Sequence, residues 1–193
     1  MNNEKIIAKQ SWRETVQSVK SCKTCIDLPL GPNPIFQIHA SSKILIVGQA
    51  PGKITHHKSI PFDDPSGKRL REWMGINRET FYDAKKIAIL PMGFCFPGTG
   101  KSGDLPPRIE CAEQWRTGLL AKLKKVELTL VIGRYAMDWH LGARQGKTLT
   151  DTVMNWQSFL PEYLPLPHPS PRNARWLAKN NWFAEQVLPV LKE

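Results

Sequence analysis

The sequence has no long apolar run, no apolar centre near its start and no repeated or low-complexity segment. No stretch approaches the ~18 uninterrupted apolar residues of a transmembrane helix, which excludes a protein of that class. The opening stretch MNNEKIIAKQSWRETVQ carries charges where a secretory signal needs an apolar core, so a cytoplasmic protein is expected. The proline-rich connections are too short to separate two cores, which predicts one domain over residues 1–193.

Acidic residues are scarce relative to basic ones. The chain has 27 Lys and Arg residues against 17 Asp and Glu residues, a formal net charge of +10. Such an excess favours a polyanionic partner, since a basic surface releases counterions from phosphates. A basic surface that serves only solubility is the alternative, and charge alone does not locate a site.

Short apolar runs bounded by turn residues are typical of parallel strands buried on both faces. The predicted strands are Ile44–Val47, Ile87–Leu90, Leu128–Ile132 and Tyr163–Leu166. Helical spacing marks Ser66–Met74 (with Ser66 as its N-cap), Pro107–Lys124 and Arg172–Leu191. The alternation predicts a three-layer α/β/α sandwich with a central, mainly parallel four-stranded sheet.

Cysteine is rare, and its pattern suggests a metal centre. The four residues are Cys22, Cys25, Cys95 and Cys111. Structural disulfides are not expected in a cytoplasmic chain. Four thiolates suit an iron–sulfur cluster or a tetrahedral zinc ion, although the wide second pair is less typical of zinc. Alternatively, Cys95 and Cys111 are buried apolar thiols and the CxxC pair is incidental.

Two motifs fall where an open α/β sheet binds ligands, beyond the carboxyl ends of strands. In VGQAPG (47–52) a buried strand runs into a Gly/Pro turn, and Gly48 and Gly52 allow close backbone approach. In HPSPRN (168–173) a histidine sits in a tight proline-rich loop. His168 can donate a hydrogen bond to a developing oxyanion there. These motifs predict the floor and the electrophile of one site.

The ordered set of CKTC (22–25), VGQAPG (47–52), IPF (60–62), Cys95 and Cys111 resembles the uracil-DNA glycosylase superfamily, most closely its iron–sulfur branch, family 4. HPSPRN is similar instead to the motif of the single-strand-selective uracil-DNA glycosylase. The resemblance covers most of the chain. It implies a monomeric DNA repair glycosylase that flips a damaged base out of DNA. It also implies a [4Fe–4S] cluster of architectural role, held by the four cysteines.

The resemblance implies roles for individual residues on the base side of the site. Gly48, Gln49 and Ala50 would lie under the flipped base and its sugar. Phe62 would stack on the base. His168 would stabilise the departing base as an anion.

On the DNA side, the resemblance gives Ser170 a phosphate contact and places Arg172 in the hole that the flipped base leaves. Arg175 would meet the backbone. Asn173 is either a helix cap or a polar contact in the pocket.

The loop after the first strand lacks the carboxylate that base excision uses. Some relatives carry Asp or Asn where Ala50 stands, and family 4 commonly has Glu where Gln49 stands. We therefore expect Asp64 to position the attacking water and stabilise the sugar cation, with Asp63 in reserve. The alternative is that Asp64 opens an Asp-Pro turn and caps the following helix.

Another departure concerns the choice of base. Family 4 normally has an Asn four residues before its third cysteine, and here that residue is Pro91. Uracil is the first expectation, with a deaminated purine or an oxidised pyrimidine as alternatives. Two other functions stay open: a catalytically weak iron–sulfur protein that binds nucleic acid with this fold, and a zinc-stapled α/β domain with another ligand.

Overall fold

The computed structural model describes residues 10–192, and residues 1–9 and 193 of the predicted domain lie outside that range. The strands are β1 (Ile44–Val47), β2 (Ile87–Ile89), β3 (Thr99–Gly100), β4 (Gly103–Asp104), β5 (Leu128–Ile132) and β6 (Tyr163–Leu166). Strands β2, β1, β5 and β6 form one parallel sheet in that order. Ile46 lies between Ile89 and Leu130, and all three are buried as apolar runs predict.

Helices surround this sheet, which confirms the predicted three-layer α/β/α sandwich. The helices are α1 (Trp12–Lys20), α2 (Lys53–Lys58), α3 (Pro65–Met74), α4 (Arg78–Tyr82), α5 (Ile109–Cys111), α6 (Thr117–Leu120), α7 (Arg134–His140), α8 (Leu149–Met154), α9 (Ala174–Lys179) and α10 (Leu188–Lys192). Helices α7 and α8 pack on β5 and β6, and α10 packs on α3. Within residues 10–192, every helix is too short or too polar to span a bilayer.

The prediction that Ser66 caps the first long helix is wrong. Helix α3 begins at Pro65, and Asp64 is its N-cap: the Gly67 N–H donates to Asp64 Oδ1 at 2.8 Å. Proline suits the first helical position because its missing N–H would have no partner there. Ser66 therefore lies inside the first turn, where it is buried.

Both longer helical predictions differ from the structure, the first in its length and the second in its continuity. The segment predicted over Pro107–Lys124 is helical only from Ile109 to Leu120, and α5 and α6 are joined by the π-helical turn Ala112–Arg116. The segment predicted over Arg172–Leu191 breaks after α9. There the Asn180 side chain donates to Trp176 O at 2.8 Å, satisfying a carbonyl that a continuing helix would have used.

The loop predicted over Pro97–Pro107 contains a small hairpin. Strands β3 and β4 pair antiparallel around a two-residue turn. Strands of two residues have no periodic pattern, so sequence reasoning missed them.

The parallel sheet brings the loops of the two sequence motifs to one edge. The hydrogen bonding of β1 and β2 continues past the strands, since the Leu90 N–H donates to Ile46 O at 2.9 Å and the Met92 N–H to Gly48 O at 2.8 Å. The Gly133 N–H joins the end of β6 by donating to Leu166 O at 3.0 Å. The loops after β1, β2 and β6 therefore emerge at the same edge of the sheet.

Candidate active site

Gly48, Gln49 and Ala50 form the floor of the site, immediately after β1. The Gly93 N–H donates to Gln49 O at 2.9 Å, which fixes the floor against the loop after β2. Gly48 is buried, while Gln49 and Ala50 are half-buried. A backbone hydrogen bond therefore holds the floor in place. The side chain of Ala50 contributes no acid–base group.

Phe62 covers this floor from the next segment of chain. A side-chain carbon added to Gly48 would lie 3.4 Å from Phe62 Cζ, so the ring rests on the glycine. Phe62 has φ 55, a left-handed conformation that costs energy for a bulky residue. Gly67 makes it possible, because a side-chain carbon there would lie 1.7 Å from Phe62 O. The chain thus holds the aromatic face in a strained position over the floor.

The two aspartates of PFDDP have different surroundings. Asp63 accepts a hydrogen bond from Arg78 Nη1 at 2.5 Å and lies 3.3 Å from Lys58 Nζ. The Arg78 guanidinium, and then Lys58, hold the pKa of Asp63 below its usual value. Asp64 caps α3 through Oδ1. Since Asp63 is paired with two cations, Asp64 is the better placed of the two for chemistry.

His168 is held as a neutral hydrogen-bond donor. The Ser170 backbone N–H donates to its Nδ1 at 3.1 Å, so the proton of the neutral ring lies on Nε2. Burial lowers the pKa of His168, and the nearby carboxylates of Asp64 and Asp104 act in the opposite direction. A neutral imidazole with Nε2–H available can donate to an oxyanion without first carrying a charge.

Three protein groups fix the loop that carries His168. Asn173 Nδ2 donates to His168 O at 2.8 Å, and Arg69 on α3 donates from Nη1 to Ser170 O at 3.0 Å. The Ser170 hydroxyl accepts from the Arg172 N–H at 3.2 Å. The side chain of Asn173 does not cap α9, so the cap interpretation is wrong. It braces the loop that carries His168 instead.

Arg172 and Arg175 are both exposed at this end of the molecule. A side-chain carbon built on Gly103 would lie 3.3 Å from Arg172 Nη1, so the guanidinium lies against the β3–β4 hairpin. The predicted DNA-side arginines therefore flank the same edge as His168. Their exposure leaves them free to meet an anion.

The hairpin forms a further wall that sequence reasoning missed. Gln49 Nε2 donates to Leu105 O at 2.7 Å and to Asp104 O at 3.3 Å, tying the hairpin to the floor. A side-chain carbon added to Gly52 would lie 3.4 Å from Asp104 Oδ2. The glycines that bracket the turn, in TGKSGD (99–104), were the one available signal for it.

The four cysteines influence one another electrostatically, and Cys25 and Cys95 share one buried cluster. Cys25, Cys95 and Cys111 are buried, and Cys22 is partly exposed. Burial raises the pKa of Cys95 to about 12 and that of Cys111 to about 11, and for both the charges of neighbouring thiols add to the rise. Arg108 joins the segment after Cys25 to the helix that contains Cys111. Its Nη1 donates to Asp27 Oδ2 at 2.7 Å and its Nη2 to Glu110 Oε1 at 2.7 Å.

The chemistry of this donor set fits a cationic centre. Burial favours the protonated thiols, and a bound metal centre would instead favour their thiolate forms. Within residues 10–192, no three His, Cys, Asp or Glu side chains are placed to hold a single metal ion. The donor set consists of four cysteine thiols, a type that both iron–sulfur clusters and tetrahedral zinc take as ligands.

A buried arginine, also missed, lies behind the loop after β2. Arg116 is fully buried and donates from Nη1 to Leu90 O at 3.1 Å and to Pro91 O at 2.9 Å. Its Nη2 donates to His140 Nε2 at 2.8 Å. Burial and then the charge of Arg116 lower the pKa of His140 to about 3. A charged residue at a helical position is normally taken as solvent-facing, and the π-helical turn overrides that expectation.

Comparison with known proteins places most of the chain in one family. Residues 36–192 match the family model described as the uracil DNA glycosylase superfamily. The chain is also similar to a protein from Methanosarcina acetivorans whose solution NMR structure is called a "putative Uracil DNA glycosylase". That similarity has 18% sequence identity and a TM-score of 0.49, and it covers 83% of this chain and 99% of the other. The family model carries the assignment.

Proposed function

The chain belongs to the uracil DNA glycosylase superfamily, and we propose that it hydrolyses the N-glycosidic bond of uracil, or of a related deaminated base, in DNA. The product would be an abasic site. The observation that carries the proposal is the neutral His168, with its Nε2 proton available, in a braced loop at the edge where Phe62 covers Gly48. An aromatic platform and an uncharged donor are what a departing base anion requires.

Each protein group would act on a defined part of the substrate. The flipped base lies over the floor and stacks on Phe62, while the sugar lies towards Ala50. As the glycosidic bond breaks, its electron pair moves onto the base. His168 Nε2–H donates a hydrogen bond to the base oxygen that gains charge. Asp64 stabilises the positive sugar through the oxygen that the helix cap leaves free.

The DNA would be held by the basic residues at the same edge. Ser170 would contact a phosphate, Arg172 would fill the space left by the base, and Arg175 would meet the backbone. The net charge of +10 supports binding to a polyanion.

Uracil is the first choice of base. The bidentate side chain of family 4 is replaced by Pro91, so recognition would depend on backbone groups of this loop or on another side chain. The carbonyls of Leu90 and Pro91 are already occupied by Arg116. The backbone groups beyond them are the available readers.

We further propose that Cys22, Cys25, Cys95 and Cys111 hold a [4Fe–4S] cluster, as in the iron–sulfur branch of the superfamily. Its role would be structural, joining the N-terminal segment to α5 and to the loop after β2. Two observations support this proposal: three of the thiols are buried, and Arg108 forms ion pairs with Asp27 and Glu110, which lie near Cys25 and Cys111. Protein purified without oxygen should be brown with absorbance near ~400 nm, and a colourless, iron-free protein would count against a cluster.

The excision assay uses single- and double-stranded oligonucleotides that contain uracil, hypoxanthine or xanthine, followed by alkaline cleavage. Strand scission by the wild-type protein at one of these bases is expected. His168→Ala should reduce the single-turnover rate by a factor of about 100 or more. His57→Ala, on the exposed face of α2, is the matched control and should be unaffected.

A second function is favoured by Ala50 and Pro91, which remove two groups that relatives use. The chain would then be an iron–sulfur protein that binds nucleic acid with little or no catalysis. Binding of these oligonucleotides without any scission would support that function and reject the glycosylase.

A further inference from the structure

The β3–β4 hairpin brings a second carboxylate to the site. Asp104 is the last residue of β4, and its charge, like that of Asp64, acts on the imidazole of His168. The two aspartates lie on different elements, Asp64 at the N-terminus of α3 and Asp104 in the hairpin. This arrangement was not visible in the sequence, because forty positions separate them.

The two carboxylates differ in the hydrogen bonds that they accept. Asp64 Oδ1 receives the Gly67 N–H at 2.8 Å, so a helix cap uses half of its acceptor capacity. Among the described residues, the Asp104 carboxylate has only a long contact, 3.4 Å from Thr99 Oγ1 to Oδ1. Its residue is exposed, and Oδ2 lies over Gly52. Asp104 is therefore the carboxylate with free oxygens.

The backbone of Asp104 is nevertheless fixed. Residues Thr99 and Asp104 pair across the hairpin, and Gln49 Nε2 donates to the carbonyls of Asp104 and Leu105. The next residue closes the loop, since the Leu105 N–H donates to Gly98 O at 2.9 Å. These hydrogen bonds fix the backbone of Asp104, and its carboxylate lies close to Gly52.

We propose that Asp104 is a catalytic residue, which holds the attacking water and accepts its proton. This inference rests on the proposed function. The oxygen of water bonds to the anomeric carbon of the sugar while the bond from that carbon to the base nitrogen breaks. The water proton moves to Asp104, the electron pair of the broken bond leaves with the base, and the proton then passes through solvent to the base anion. Asp64 keeps the sugar-cation role, and Ala50 needs no side-chain function.

The test compares Asp104→Asn with Asp64→Asn, and with Asp83→Asn as the matched control. Asp83 lies before β2, at the opposite edge of the sheet. Asp104→Asn should lower the single-turnover rate about 100-fold or more at saturating protein. Binding to an oligonucleotide with a reduced abasic site should stay unchanged. Asp83→Asn should match wild type in both measurements.

Chemical rescue separates catalysis from support of the hairpin. Formate should restore part of the rate of Asp104→Ala, because a small carboxylate can occupy the open position above Gly52. A rate for Asp104→Asn within about twofold of wild type would overturn the inference. So would joint loss of rate and binding without formate rescue. If wild-type protein excises no base, the proposed function itself fails, and the role of Asp104 with it.

Discussion

The His168 loop is half-buried and the cysteine region is largely buried, and the groups that surround their polar side chains differ. Protein groups satisfy the His168 loop, through Asn173, Arg69 and the Ser170 N–H, and its ring stays neutral. The thiols of the cysteine region have raised pKa values because of burial. The proposed [4Fe–4S] cluster would supply the positive charge that favours their thiolate forms. The proposed catalytic loop is thus held by protein groups alone, whereas the cysteine region would depend on the proposed cluster.

The largest effect should come from removing a thiol. Cys95→Ser is expected to abolish the absorbance near ~400 nm and to reduce the free energy of unfolding by roughly 4 kcal/mol or more, since loss of a metal site is among the most destabilising changes. Denaturant titration with iron analysis measures both. Ala112→Ser buries a hydroxyl next to Cys111 but keeps all thiols, so it should retain iron. Equal loss of stability in the two variants would contradict a cluster.

On the catalytic side, the largest loss should follow Gly67→Ala. The added carbon would meet the Phe62 carbonyl at 1.7 Å, so Phe62 must move off Gly48 or α3 must shift. We expect a loss of about 3 kcal/mol, together with most of the activity. Gly142→Ala has a left-handed φ but open space around it, and should cost only about 1 kcal/mol. Similar losses in thermal denaturation of the two variants would show that the contact with Phe62 is relaxed at little cost.

The Arg116–His140 pair extends the comparison to a third buried polar region. Here the imidazole of His140 stays neutral beside the buried Arg116 guanidinium. The folded pKa of His140, about 3, lies below the unfolded value of 6.5. The folded state therefore binds fewer protons between those values, and stability is lost as pH falls through that window. From pH 6.5 to 5 the loss should be about 2 kcal/mol.

His140→Gln should flatten this pH dependence, because its side-chain oxygen still accepts from Arg116 and does not titrate. The exposed His57→Gln is the control and should keep the slope of wild type. Unfolding free energies measured across this pH range would reveal either outcome. An unchanged slope in His140→Gln would mean that other groups cause the acid sensitivity.

The smallest expected effect comes from the side chain that holds the His168 loop. Two Asn→Ala variants should distinguish an effect on excision rate from an effect on the stability of the fold. Asn173→Ala removes the donor to His168 O and should slow excision about tenfold with little change in melting temperature. Asn77→Ala removes the N-cap of α4 and should show the reverse pattern, a loss of about 1 kcal/mol with the excision rate unchanged. If both variants lost stability and neither lost rate, Asn173 would be an ordinary structural residue.

The sheet was predictable because its strands are continuous apolar runs. The bounds of Ile44–Val47, Leu128–Ile132 and Tyr163–Leu166 are confirmed, and β2 ends one residue earlier than predicted, at Ile89. Buried parallel strands leave this signal because both faces exclude water. The motifs that follow them could be placed at one edge for the same reason.

The site was only partly predictable, because its remaining groups depend on tertiary contacts. Asp104 lies on two-residue strands that carry no pattern. Arg116 turns inward at a π-helical turn that apolar spacing does not show. Asn173 stands before a helix, as a cap would, yet bonds back to His168. Each became visible only when distant segments were placed beside one another.

The most direct test of the account is the protonation state of His168 in the folded protein. Nitrogen-15 NMR of the imidazole, assigned by comparison with His168→Gln, reports which ring nitrogen carries the proton. We predict the neutral form with hydrogen on Nε2 at pH 7, persisting below pH 6.5 because burial lowers the pKa of His168. A ring protonated on both nitrogens at pH 7, or a neutral ring with its proton on Nδ1, would contradict the donor role on which the proposed chemistry rests.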